Sequence, residues 1–125
     1  MFRSFKDMPV WQEAMAIAET VFKLTNNLPK REDYGLTSQL RRAALSISAN
    51  LAEGFGRAHP LEKARFYTVS IGSATETQNH LEYGLRVGYF PADDVEALTG
   101  RLENLVHDTN KLVVTLKDRA KRSKT

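Results

Sequence analysis

Apolar residues recur along most of this chain every three or four positions, and nowhere do they alternate with polar ones as a half-buried strand requires. Val10, Ala14, Ile17, Val21, Leu24 and Leu28 form the first stripe. Asp7 is an acceptable N-cap for it, Pro9 is tolerated in the first turn, and Pro29 helps end the run. Trp11, Met15, Ala18 and Phe22 make a shoulder beside it, wider than a simple two-layer contact needs. The second stripe, Leu36, Leu40, Ala43, Ile47, Leu51 and Gly54, begins at Leu36 or Thr37 and is stopped by Gly54 and Gly56. A third helix is predicted after His59-Pro60, from Leu61 to Val87, with Gly88 closing it. The fourth pattern is the cleanest: Val95, Leu98, Leu102, Leu105, Val106, Thr109, Leu112, Val113 and Leu116 share one face, behind a start marked by Pro91, Asp93 and Asp94. Four helices of roughly 17 to 27 residues, about 25 to 40 Å each, joined by short connections, predict an all-α antiparallel up-down four-helix bundle. The bundle is expected over residues 1–117, with a basic C-terminal tail at 118–125.

The second helix is unusually thin. Beside its core stripe, Gln39, Arg42, Ser46, Asn50, Glu53 and Arg57 stack into a polar stripe that stays on one face for five turns. On the remaining side, Ser38, Leu45, Ala49 and Ala52 are small enough for another backbone to come close. The polar stripe reads either as a buried or half-buried hydrogen-bond network around Asn50 and Glu53, or as a groove in which Arg42 and Arg57 meet phosphate. The double-sided helix, together with the shoulder that carries Trp11 and Phe22, predicts that the chain associates with copies of itself, since a lone bundle leaves such surface partly exposed.

Charge sharpens the picture more by its distribution than by its sum. The net charge is +3. Residues 30–66 hold seven Lys/Arg against four Asp/Glu, residues 67–100 one against five, and residues 101–125 seven against three. Positive charge therefore gathers around the second helix and at the C-terminal end, which permits an anionic partner. With no cysteine there is no disulfide, thiolate metal site or cysteine nucleophile. Charged residues interrupt the N-terminal stretch and no segment approaches the roughly 20 apolar residues of a membrane span, so a soluble cytoplasmic protein without a membrane partner is expected.

Candidate catalytic chemistry is thin. Bundles that hold di-iron sites use Glu-x-x-His pairs, whereas Glu76 and His80, like Glu103 and His107, are spaced one residue too far apart, and the second pair lies beside the apolar stripe of its helix. No metal is expected. Gly54-Phe55-Gly56 follows a helix and lacks the rest of a dinucleotide fingerprint, so it reads as a helix stop. The aromatics Tyr34, Phe66, Tyr67, Tyr83, Tyr89 and Phe90 read as core or interface more readily than as base-stacking groups. Neither an enzyme nor a cofactor is indicated.

The stretch QLRRAALSISANLAEGFGR at 39–57, with FKDMPVWQEAM near the start, YGLTSQL before the second helix and IGSATETQNHL in the third, resembles the small four-helix-bundle proteins encoded by intervening sequences in bacterial 23S rRNA genes. The resemblance covers roughly residues 2–117, and Asn50 to Gly54 is its most specific part. It implies a homopentamer with no known catalytic activity, similar in fold and assembly to the accessory protein of diversity-generating retroelements, a basic pentamer that binds nucleic acid and a reverse transcriptase. It also implies that the thin helix is wedged between its own bundle and a neighbouring subunit.

The expected function is accordingly that of a non-enzymatic oligomeric bundle that binds RNA or a nucleoprotein, the alternative being a protein-interaction scaffold with no nucleic-acid role. Candidate contacts for nucleic acid are Arg41, Arg42, Arg57, Lys63 and Arg65 around the second helix and its junction with the third, with Lys117, Arg119, Lys121, Arg122 and Lys124 at the C-terminal end. In an up-down bundle Arg57 and the tail should be neighbours. Gln39, Ser46, Asn50, Glu53, Gly54, Trp11 and Phe22 are expected to serve structure or interface.

Overall fold

A computed structural model describes residues 1–123. Its helices are α1 (Pro9–Thr25), α2 (Leu36–Phe55), α3 (Pro60–Arg86) and α4 (Ala92–Ser123), with single 3-10 turns at Phe5–Asp7 and Lys30–Glu32 and no strand among the described residues. Each helix packs on the next and α4 returns to α1, while the diagonal pairs keep apart. This is the antiparallel up-down bundle that short connections favour. The N-terminal turn, the α2–α3 turn and the end of α4 therefore share one end, here called the lower end. The α1–α2 and α3–α4 connections make the upper end.

The periodic stripes face one core. Ile17 and Val21 of α1, Leu40, Ile47 and Leu51 of α2, Leu81 of α3 and Leu102 of α4 are all fully buried. Each such side chain contributes about 1.5–3 kcal/mol of burial free energy. The third helix contributes mostly small groups, Ala64, Ser70, Ser73, Ala74, Thr77 and Gly84. Small groups bring α2 and α3 close: Ser70 Oγ donates to the Ile47 carbonyl at 2.9 Å, and the Ser46 and Ser73 hydroxyls meet at 2.9 Å. A Cβ on Gly54 would lie 2.7 Å from Tyr67 Cε1 and 3.0 Å from Phe66 Cβ. The thinness of α2 thus serves first to seat α3.

Local chemistry moves several boundaries. Asp7 is not the cap of α1; Ser4 caps the 3-10 turn, Asp7 closes a capping box onto the Ser4 backbone, and α1 starts after the extended Met8 with Pro9 first. The first helix stops at Thr25, short of the apolar run to Leu28, where the poor helix formers Asn26 and Asn27 follow. Gly54 does not end α2, which continues to Phe55 with Gly56 as C-cap. Gly88 does end α3: at φ +85° it takes the left-handed conformation that costs glycine least, and the Tyr89 amide bonds the Gly84 carbonyl at 2.8 Å. The fourth helix extends through Ser123, so the basic residues from Lys117 to Arg122 ride on its last two turns. Lys124 lies outside the described residues.

Candidate nucleic-acid interface

At the lower end, the C-terminus of α2 is held by a lysine from the next helix. Lys63 Nζ donates to the Phe55 carbonyl at 2.7 Å and the Gly54 carbonyl at 3.3 Å, and lies 5.4 Å from the Phe55 ring. Orphan carbonyls at a helix end favour such a cation. Burial, and next the charge of Arg119, hold the Lys63 ammonium below the usual lysine range. The up-down topology places the end of α4 at the same end as the α2–α3 turn.

Arg57 is also committed. It pairs with Glu53 at 2.8 Å and Glu62 at 3.3 Å, and its guanidinium lies 4.8 Å from the Phe66 ring centroid. Arg65 stacks over the same ring at 5.2 Å, but it is exposed and has no carboxylate partner among the described residues. A guanidinium stacked on an aromatic face keeps its N–H edge available for phosphate. Lys117, Arg119, Lys121 and Arg122 are exposed on α4, with Asp118 among them. Arg65 and the last turns of α4 therefore form the accessible basic surface, with Arg57 and Lys63 fixing the turn beneath it.

Arg41 and Arg42 do not join this group. Arg42 is exposed on the flank of α2, about 20 Å along the axis from its C-terminal end. Arg41 faces the end of α1, where its Nε donates to Thr25 Oγ1 at 2.7 Å and its Nη2 to Asn26 Oδ1 at 3.1 Å and the Phe22 carbonyl at 3.2 Å. It is thereby a cap for α1, with its guanidinium 4.2 Å from the Phe22 ring. This contact partly covers the apolar shoulder from within the chain, as does Phe5, which meets Trp11 edge-on at 5.1 Å. Phe22 nonetheless stays 53% exposed.

The polar stripe of α2 divides in two. Asn50 Nδ2 donates to the Ser46 carbonyl at 2.8 Å and to Ser46 Oγ at 3.0 Å, extending the half-buried Ser46–Ser73 contact. Gln39 is exposed, and the Glu53 carboxylate, with 55% of its side chain exposed, is a surface partner of Arg57 and no buried group within the single chain. On the outward side of α2, Leu45 is 54% exposed and Ala49 is open as well. On α3, Val69 is 49% exposed.

Three features had no reading in the sequence. Arg101 joins α4 to α1 through both oxygens of Glu13, at 2.8 and 3.1 Å, which raises its pKa further. Tyr89 donates to Glu32 at 2.8 Å, linking the two upper connections, while Glu32 also accepts from the Leu36 amide at 3.2 Å. The N-terminal turn adds Arg3 and Lys6, both exposed, to the lower end. Only the last had a local signal, the Ser4-x-x-Asp7 capping spacing. Glu76 and His80 pair with each other at 3.2 Å, and Glu103 and His107 are exposed on α4. Among the described residues no helix is long and apolar enough to cross a membrane.

The arrangement is matched by what is known of other proteins. The family model of the 23S rRNA-intervening sequence protein matches residues 6–111, spanning all four helices but stopping before the basic turns of α4. Among solved structures, the chain is similar to a protein of unknown function from the S23 ribosomal protein family of Bacteroides thetaiotaomicron, at 21% identity and a TM-score of 0.68, over 86% of this chain and 96% of that one. At that identity the likeness speaks for the fold alone. No curated protein matches. The chain belongs to the 23S rRNA-intervening sequence protein family.

Proposed function

We propose that this chain is a non-enzymatic, cytoplasmic, homo-oligomeric bundle, a pentamer as the family resemblance implies, that binds RNA through a basic rim formed by its lower ends. The observation that carries this is the gathering of Arg65, Lys117, Arg119 and Lys121 on one end, exposed and not neutralised by a carboxylate in any ion pair among the described residues. A ring would repeat that end around its axis, and weak single contacts would gain avidity. The exposed Leu45 and Ala49 of α2 and Val69 of α3 supply apolar surface for self-association. That surface also favours the second reading, a protein-interaction scaffold with no role in nucleic-acid binding.

Salt separates the two, because phosphate contacts release counterions and weaken steeply with salt whereas apolar contacts do not. The full chain and a version ending at Leu116 would be titrated with a short RNA at two salt concentrations. The rim predicts tight low-salt binding and a shallower salt slope after truncation. Equal slopes, or no binding at low salt, would remove it. Light scattering tests assembly separately: a solution mass near that of the 14.1 kDa monomer at micromolar concentration contradicts the ring.

A further inference from the structure

We infer that Phe2 is a base-stacking residue, and that the lower end takes single-stranded RNA in preference to duplex; this rests on the rim reading above. The N-terminal segment is built onto the bundle. Asp7 Oδ2 accepts the backbone amides of Arg3 at 3.0 Å and Ser4 at 3.2 Å, and Ser4 Oγ accepts the Lys6 amide at 3.2 Å. Phe5 packs edge-on against Trp11, and Met8 is buried to 4% exposure. Those anchors fix the segment against α1 and α2 at the end where Arg65 and the last turns of α4 present their cations.

Phe2 is the residue these anchors leave out, 48% exposed and adjacent to Arg3. The other phenylalanines of this end are occupied. Phe55 lies under Lys63, Phe66 lies between Arg57 and Arg65, and Phe5 lies against Trp11. The two most exposed tyrosines, Tyr34 and Tyr83, sit at the upper end. Phe2 therefore combines an open aromatic face, attachment through Arg3 to a hydrogen-bonded turn, and the exposed cations Arg3 and Lys6 of that turn, the combination from which single-strand sites are made. In a duplex the bases are already stacked on one another and present no free face, so an aromatic of this kind discriminates in favour of unpaired bases.

The test uses the full chain with a short mixed-sequence RNA, alone and annealed to its complement, at one low salt concentration. The wild-type chain is expected to bind the single strand more tightly. Phe2→Ala should weaken single-strand binding about tenfold, leave duplex binding and melting temperature unchanged, and be rescued by Phe2→Trp. Equal losses on both RNAs, no loss on either, or a loss seen only on anionic phosphatidylserine vesicles would overturn the inference while leaving the rim standing. Failure of the wild-type chain to bind either RNA would overturn both.

Discussion

The two ends of the bundle carry similar residue types and use them differently. At the upper end Arg86 pairs with Glu82 at 2.9 Å and Arg41 closes the C-terminus of α1, while the exposed Lys23, Lys30 and Arg31 share that end with the exposed acids Asp33, Asp93 and Asp94. Arg101, in the α1–α4 cleft, holds Glu13. At the lower end one layer is spent in the same way, with Lys63 on the α2 carbonyls and Arg57 on Glu53 and Glu62, but a second layer remains over. On the last two turns of α4 Lys117, Arg119 and Lys121 stand beside a single acid, Asp118, and Arg65 is in no ion pair among the described residues. The difference teaches that a basic composition says little until the geometry shows which cations have been consumed by helix ends and carboxylates.

The largest change expected at the lower end comes from Gly54→Ala. The added methyl would press into the Tyr67 ring, and because overpacking typically costs about 1–3 kcal/mol, the denaturation midpoint should fall clearly. Unchanged stability would show that the α2–α3 turn relaxes freely and does not position Lys63 or Arg65.

Arg41→Ala and Arg65→Ala should separate structure from binding. The first removes charged hydrogen bonds to the end of α1 and is expected to cost about 1–3 kcal/mol while leaving RNA affinity unchanged, as read by denaturant unfolding and titration side by side. The second should do the opposite. Its stability change should stay within about 0.5 kcal/mol, while affinity falls and the salt slope drops by about one. A loss of RNA affinity in the Arg41 variant would erase the contrast between the ends.

A smaller effect tests the upper latch by pH. The Tyr89 hydroxyl, and next the Leu36 amide, hold the Glu32 carboxyl below its ordinary range. A carboxylate depressed on folding contributes stability above its unfolded pKa, and that contribution is lost as pH falls through the folded value. Tyr89→Phe removes the larger cause, so the melting temperature of this variant should lie below wild type at neutral pH and converge with it in acid. A gap that persists unchanged into acid would assign the loss to packing alone.

Much of the fold was legible because α1, α2 and α4 each have an apolar period of their own, and α4 buries seven of the nine positions its stripe marks out, with Val106 and Leu112 half-buried. The third helix, which packs mostly small groups, was marked instead by its flanking His59-Pro60 and Gly88. The boundaries were less so, since they depend on partners distant in sequence. Thr25 ends α1 where Arg41 from the next helix reaches it, and Gly54 reads locally as a stop although its lack of a side chain serves Tyr67 on α3. In the interface the same limit appears. The sequence shows that Arg41, Arg57, Lys63 and Arg65 are basic, but only contacts across helices reveal that the first three are engaged. The polar stripe was half readable: Asn50 bonds Ser46, which meets Ser73 on α3, whereas the Glu53 carboxylate is 55% exposed and pairs with Arg57 at the surface.

The central claim, that position on the lower end and not overall charge makes this surface an RNA site, is tested most directly by two charge-matched triple variants. One carries Lys117→Gln, Arg119→Gln and Lys121→Gln; the other carries Lys23→Gln, Lys30→Gln and Arg86→Gln at the upper end. Both lower the net charge of the full chain equally, and each would be titrated with the same short single-stranded RNA across a salt series. The lower-end variant should lose most of the affinity and a salt slope of about two to three, while the upper-end variant stays close to wild type. Equal losses in the two variants would contradict the account and reduce the interaction to net charge.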